Sequence, residues 1–223
     1  MSTVDFSQLL PPSLITELSY EAILTKRKES FISLYDASEQ QAVRELLQRE
    51  SEPVVKLLQE NAYLEMLYQA KCNADARSLL LAYAEKSDLD HLALTEYGLT
   101  RLVVTPADNT VIPPVEAVYE SDERLRERCI LSFDGMNTAG SSNAYRYFTL
   151  SADGRVDGIN VKSDEATPCF LDIVITQVDS ENGAASAELI QIVQTALDPD
   201  TVRPVGDRPT VKSSIATNYQ IEA

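Results

Sequence analysis

The sequence predicts an α+β protein: an N-terminal helical region with one long helix, then a small α/β domain with a mixed sheet. Three observations predict it. No helix breaker occurs between Pro53 and about Glu85, which leaves room for a helix of about 45–50 Å at ~1.5 Å per residue. After Asp153-Gly154 the apolar residues change from a helical to an alternating period. In the second half the elements follow in the order α-α-β-β-α-β, the pattern of a small α/β domain.

Residues 1–18 read as an extended arm, because Pro11-Pro12 excludes a helix. An apolar arm of this kind lies across a surface, its own domain's or a neighbour's. The helical region spans 19–100. Its first helix runs from about Tyr20 to Tyr35 with Ser19 as N-cap. The second starts at Ser38, where Ser38-Glu39-Gln40-Gln41 fits a capping box. Val43, Leu46 and Leu47 give it an apolar face.

The third helix begins with Pro53 at its first position, where the missing N–H costs nothing. Its apolar residues form two seams. Val54, Leu58, Ala62 and Met66 lie four apart; Leu57, Leu64 and Leu67 form the second, widened by Tyr63 and Tyr68. A helix apolar around much of its girth is buried by several partners. Leu57, Leu58, Tyr63, Leu64, Met66, Leu67 and Tyr68 are therefore candidate interface residues. Packing from other subunits and a kinked helix in one local bundle both fit the pattern. A short helix from Leu89 to Tyr97 follows, capped by Asp88 and stopped by Gly98.

Residues 101–105 read as a short strand or extended segment. The whole of 101–120, with Pro106, Pro113 and Pro114, reads as a linker. The α/β domain covers 121–223. Ser121 caps its first helix, with Asp122 and Glu123 at the positive end of the helix dipole. Leu125, Cys129 and Phe133 mark a buried face, and Arg124, Arg126 and Arg128 fall on the other sides. A second helix runs from about Ser141 to Leu150. Strands are expected at 156–162 and 170–178, where Leu171, Ile173 and Ile175 alternate with polar or smaller residues. Glu181-Asn182-Gly183 is a turn, Ser186 to Leu197 a helix, and Val211 to Ile221 a final strand.

The chemistry-bearing signals are weak. Thr138-Ala139-Gly140-Ser141-Ser142 resembles a phosphate cradle, and a ligand-binding or enzymatic protein using this loop is the alternative from another class. A P-loop, however, needs a preceding strand, a second glycine and a lysine, and this stretch has none of them. As a connector it is natural: Gly140 permits an unusual dihedral, and Ser141 or Thr138 can cap the next helix. His91 is the single histidine, so a His-based nucleophile pair or a zinc site has nothing to build on. The acidic residues fall mostly on charged helix faces, where solvation is the ordinary role. The residues indicate no cofactor and no catalytic or metal site.

Net charge is −16, from 19 basic and 35 acidic residues. That disfavours nucleic acid and anionic membranes. Three scattered cysteines make no disulfide framework. The N-terminus lacks the basic and apolar regions of a signal peptide, and no apolar run is long enough to span a bilayer.

Five segments, in order, carry a family likeness: LLQRESEPVVKLLQENAYLEMLYQA (46–70), RLVVTPAD (101–108), ESD with LRER (120–128), the TAG…AY stretch with SADGRV (138–156), and RPV, DR and TV between 203 and 211. They resemble baseplate J-like proteins of P2-like contractile-tail bacteriophages. Asn137 and Pro209 depart from the family pattern, and Pro209 suggests a kink ahead of the last strand. Family members continue into a further C-terminal region that this sequence does not include.

The resemblance implies a non-enzymatic wedge component of a tail baseplate, with no cofactor. It implies assembly with a second copy of itself, with a smaller tail protein resembling the P2-type protein I, with a lysozyme-like wedge or sheath-initiator protein, and with neighbouring wedges. It places the protein in the virion tail baseplate, and in the host cytoplasm during assembly. Related wedges also serve headless particles, such as pyocin-like tails and other injection systems.

Overall fold

The computed structural model describes residues 10, 19–137, 139–164, 166–178 and 180–217. The expected arm at 1–18, apart from Leu10, lies outside them, as do Thr138 and the last residues of the expected final strand. The fold is α+β. It divides into two compact units between Ala84 and Glu85.

The first unit is helical: α1 (Tyr20–Ser33), α2 (Gln40–Leu46) and α3 (Pro53–Ser78). The Ser19 hydroxyl accepts from the Ala22 N–H, as a serine N-cap should. Ile23 and Leu24 of α1 pack on Ala62 of α3, flanked by Leu58 and Met66. Ile32 and Leu47 close on Val55. Arg27 on α1 and Glu65 on α3 form an ion pair at 2.7 Å.

Two expectations change here. The capping box at Ser38 is not formed: α2 begins at Gln40, and Glu39 makes no side-chain cap. The backbone carbonyl of Asp36 instead accepts from the Glu39 and Gln40 N–H groups, so a turn of main chain does the work of the box. The long helix keeps Pro53 in its first turn but ends at Ser78. Its 26 residues give a length of about 39 Å. A run of turn hydrogen bonds replaces the last part, Leu80 N–H to Arg77 carbonyl and Tyr83 N–H to Leu80 carbonyl. No glycine or proline marks that end.

The second unit contains α4 (Lys86–Tyr97), β1 (Val103–Thr105), β2 (Val118–Tyr119), α5 (Asp122–Gly135), α6 (Ser142–Ala152), β3 (Val156–Asp164), β4 (Thr167–Gln177), α7 (Ala187–Leu197) and β5 (Arg208–Ser213). β3 and β4 pair antiparallel, and β4 and β5 parallel. The sheet is therefore mixed, in the order β3-β4-β5. Leu171, Ile173 and Ile175 point from β4 into a core with Leu131, Tyr145, Leu150, Leu189, Val193 and Leu197. The alternation of β4 thus buries one face under α5, α6 and α7. Ser121, Ser141 and Ser186 each cap their helix through the hydroxyl.

Pro209 lies inside β5, which keeps an unbroken register with β4 from Arg208 to Ser213. β5 is an edge strand, where a missing N–H on the outer side breaks no ladder bond. Two backbone groups on that outer side are engaged by one side chain. The Gln194 amide donates to the Pro209 carbonyl at 3.0 Å and accepts from the Val211 N–H at 2.9 Å.

Candidate assembly surfaces

In the first unit the relevant geometry is a helix with two unlike sides. Val55 and Ala62 are fully buried against α1 and its neighbours. Leu57 is 56% exposed and Leu64 54% exposed. Tyr63, Leu67 and Tyr68 are exposed as well. At 100° per residue, Leu57, Leu64 and Tyr68 stack on the side opposite Ala62, with Leu67 beside them. The seven-residue step from Leu57 to Leu64, and the steps of three and four to Leu67 and Tyr68, are those of a helix–helix seam. Of the seven candidate interface residues, Leu58 and Met66 are partly buried in the chain's own α1–α3 contact. The other five remain on the surface.

In the second unit, charge is used inside. Glu120, just ahead of the Ser121 cap, has a fully buried side chain. Its Oε1 accepts from the Leu102 N–H at 2.9 Å and from the Arg128 guanidinium. Arg128 also donates to the Thr100 carbonyl and to the Ser151 hydroxyl, each at 3.2 Å. Arg124 lies with Nε 3.4 Å from Glu120 Oε2, and its Nη2 donates to the carbonyls of Leu150 and Asp153. These three residues tie the segment before β1 and the end of α6 to α5.

Arg124 and Arg128 were expected on the sides away from the buried face; they are inside because fixed acceptors surround them. Phe133, expected in the core, is 64% exposed and lies edge-on to Tyr97, with ring centroids 5.8 Å apart. The core at that end of α5 is taken by Leu131.

Arg101 extends the arrangement. It reaches Asp90 at 2.7 Å, Asp122 at 2.6 Å and the Glu120 carbonyl at 2.7 Å. Asp122 also accepts from the Lys86 N–H at 2.9 Å. That contact explains why α4 starts at Lys86: its cap is supplied by Asp122, where Asp88 was expected. Burial works against the ionised form of Asp122, but the Lys86 N–H and Arg101 outweigh it and hold its carboxyl below the usual range.

The segment 101–120 is consequently no free linker here. β1 and β2 pair antiparallel, and Asp108 and Val115 form a further bridge, so the prolines sit in a hairpin excursion within the second unit. Strands of two and three residues are too short to show a period in the sequence.

The loop before α6 is closed by the chain itself. Gly140 has φ +75°, a left-handed value that favours glycine. A Cβ there would lie 2.8 Å from both Asp207 Oδ2 and Pro204 Cγ. The Tyr145 hydroxyl donates to Asp207 at 2.7 Å. Burial, then the Asp207 carboxylate, push that hydroxyl well above its usual range, so it remains a donor at neutral pH. Ser141 Oγ is occupied by the Ala144 N–H. A phosphate placed here would meet an acidic neighbour and an engaged hydroxyl.

His91 is exposed on α4. Burial pushes the Cys129 thiol up to about 11, which makes it a poor nucleophile. Among the described residues, no group of His, Cys, Asp and Glu is arranged to hold a metal, and no helix is long and apolar enough to cross a membrane.

Glu120 is the residue that sequence reading missed. The available signal was the i, i+4 spacing of Arg124 and Arg128 on α5, next to Leu125 and Cys129, with an acidic residue just ahead of the Ser121 cap.

Residues 50–108, which hold α3, α4, β1 and Arg101, match the family model of the baseplate J-like N-terminal domain. Residues 137–213, which hold the Gly140 loop and the sheet, match that of the baseplate J-like central domain. The chain is 45% identical to the baseplate protein J of Escherichia phage P2 over 223 residues, which is all of this chain and 72% of that protein. The chain belongs to the baseplate J-like family, a structural component of the phage tail baseplate and not an enzyme.

Proposed function

We propose that the protein is a wedge subunit of a contractile-tail baseplate that pairs with a second copy of itself along the exposed side of α3. The observation that supports this is the seam of Leu57, Leu64, Leu67 and Tyr68, with Tyr63 at its margin, left uncovered opposite Ala62. Each leucine that goes from half-exposed to buried contributes on the order of 1 kcal/mol, so two such seams facing each other stabilise a helix pair. A smaller tail protein resembling the P2-type protein I, a lysozyme-like wedge protein and the neighbouring wedges complete the assembly, which forms in the host cytoplasm before joining the virion.

The test is to mix the protein with its tail neighbours and measure the mass of the complex by light scattering. Two copies of this chain per complex are expected. A complex containing one copy, with no self-association of the chain at any concentration tested, would overturn the pairing.

A further inference from the structure

The two compact units divide between Ala84 and Glu85, and hydrogen bonds fix the backbone on each side of that division. Ahead of it, the Tyr83 and Ala84 N–H groups donate to the Leu80 carbonyl at 2.9 and 2.8 Å, which ties the chain to the turn that follows α3. Behind it, the peptide group joining Glu85 to Lys86 is held at both ends. Its carbonyl accepts from the Asp88 and Leu89 N–H groups of α4 at 3.1 and 3.4 Å. Its N–H donates to Asp122 Oδ2 at 2.9 Å. The other Asp122 oxygen accepts from Arg101 at 2.6 Å, and Arg101 in turn holds Asp90 on α4.

Lys86 itself has φ +51°. Among the described residues it is the only non-glycine residue with a positive φ. In that region the Cβ of an L-residue crowds its own backbone. Lys86 is exposed, so packing of its side chain does not impose the value. The clamp on the Glu85–Lys86 peptide does. Strained backbone of this kind persists only where its surroundings over-determine it. Residues at the ends of elements are also where hinges place their φ/ψ changes.

We infer that Glu85–Lys86 is a two-position elbow between the units, with Asp122 and Arg101 as its latch. In the latched position the Asp122 carboxylate holds the Lys86 N–H and keeps the residue left-handed. When Asp122 lets go, φ of Lys86 returns to its ordinary right-handed value, a turn of about 110° about the N–Cα bond. That turn redirects the chain before Glu85 and leaves the cores of both units intact, since none of their buried residues lies at 84–86. The segment 101–120, tied into the second unit by the β1–β2 pairing, is not the point of articulation; the short joint ahead of α4 is. The inference does not depend on how α3 is paired.

Its test puts spin labels at two exposed positions of the full chain, Glu39→Cys in the first unit and Asp200→Cys in the second. Cys72 and Cys169 are replaced by serine, and the buried Cys129 is kept. Pulsed electron resonance reads the distance between the labels. The labelled parent should give one narrow distance. Lys86→Asn should keep it, because asparagine tolerates the left-handed region. Lys86→Val should move most of the population to a second distance, because a β-branched residue resists that region. Asp122→Ala should do the same, and adding Lys86→Asn to it should restore part of the first distance. Far-UV circular dichroism should show equal helix content throughout; if Asp122→Ala does not fold, the two Lys86 variants decide. The same distance distribution for the parent, Lys86→Asn and Lys86→Val would overturn the elbow. A parent distribution as broad as that of a folded Asp122→Ala would overturn the latch.

Discussion

Glu120 and Arg128 meet inside the second unit, the carboxylate fully buried and the guanidinium 3% exposed. A buried pair of this kind binds its surroundings together more than it stabilises the fold outright, since desolvation offsets much of the attraction. Removing one member is costly because the other charge stays behind. Glu120→Ala should lower the unfolding free energy by about 3–5 kcal/mol, read from urea unfolding. Adding Arg128→Met to Glu120→Gln should recover part of the loss seen with Glu120→Gln alone. If the two changes simply add, the residues are not coupled as described.

Gly140 and Gly98 both have left-handed backbones, φ +75° and +67°, but only Gly140 is crowded. Gly98→Ala should therefore cost only the backbone term, about 1 kcal/mol. Gly140→Ala should cost clearly more, because the new Cβ meets Asp207 and Pro204. Thermal melting of the two variants side by side checks this; equal losses would mean that the 204–207 loop yields freely.

Leu64→Asp separates folding from assembly. Leu64 is half-exposed, so the change should leave the isolated chain within about 0.5 kcal/mol of wild type. It should nevertheless abolish incorporation into tails, because assembly would bury an unpaired charge. Ala62→Asp, at a fully buried position on the same helix, should unfold the first unit. Normal tail yield with Leu64→Asp would show that this side of α3 stays in solvent.

Acid should loosen the second unit through Asp122 and Asp153, whose carboxyls are held below their usual range. At both, burial opposes ionisation but is outweighed: by Lys86 N–H and Arg101 at Asp122, and by Arg155 at Asp153. A depressed folded-state value contributes stability that is fully present above the unfolded pKa of ~3.9. That contribution is lost as pH falls through the folded values. The urea midpoint should stay level from neutral pH to about 5 and fall below about 4. Asp122→Asn should be less stable at neutral pH and decline less steeply in acid. A parallel curve for the variant would remove Asp122 from this account.

Much of the fold was legible because it is written locally. Three serine caps, at Ser19, Ser121 and Ser141, act within three residues of themselves. The alternation of Leu171, Ile173 and Ile175 needs only one face to be dry. The misreadings have the opposite character. The Ser38 box lost to a carbonyl two residues upstream. Asp88 lost the cap of α4 to Asp122, which is 36 residues from Lys86. Arg128 looked solvated because its acceptors, Thr100 and Ser151, lie on either side of it in the chain and meet only after folding. The exposed side of α3 was visible as excess apolar residues, but a sequence does not say which seam the chain covers itself.

The Gln194 side chain has a consequence for how this sheet can be extended. A primary amide offers one acceptor and one donor, the same pair that a strand residue presents, and Gln194 presents them to Val211 and Pro209. At these two residues it stands where the next strand of a ladder would stand. The other margin, β3, has a strand neighbour only on its β4 side among the described residues. The two margins of the sheet are therefore unlike: the β5 edge has its Pro209 carbonyl and Val211 N–H already taken by a side chain, and the β3 edge has no strand beyond it among the described residues.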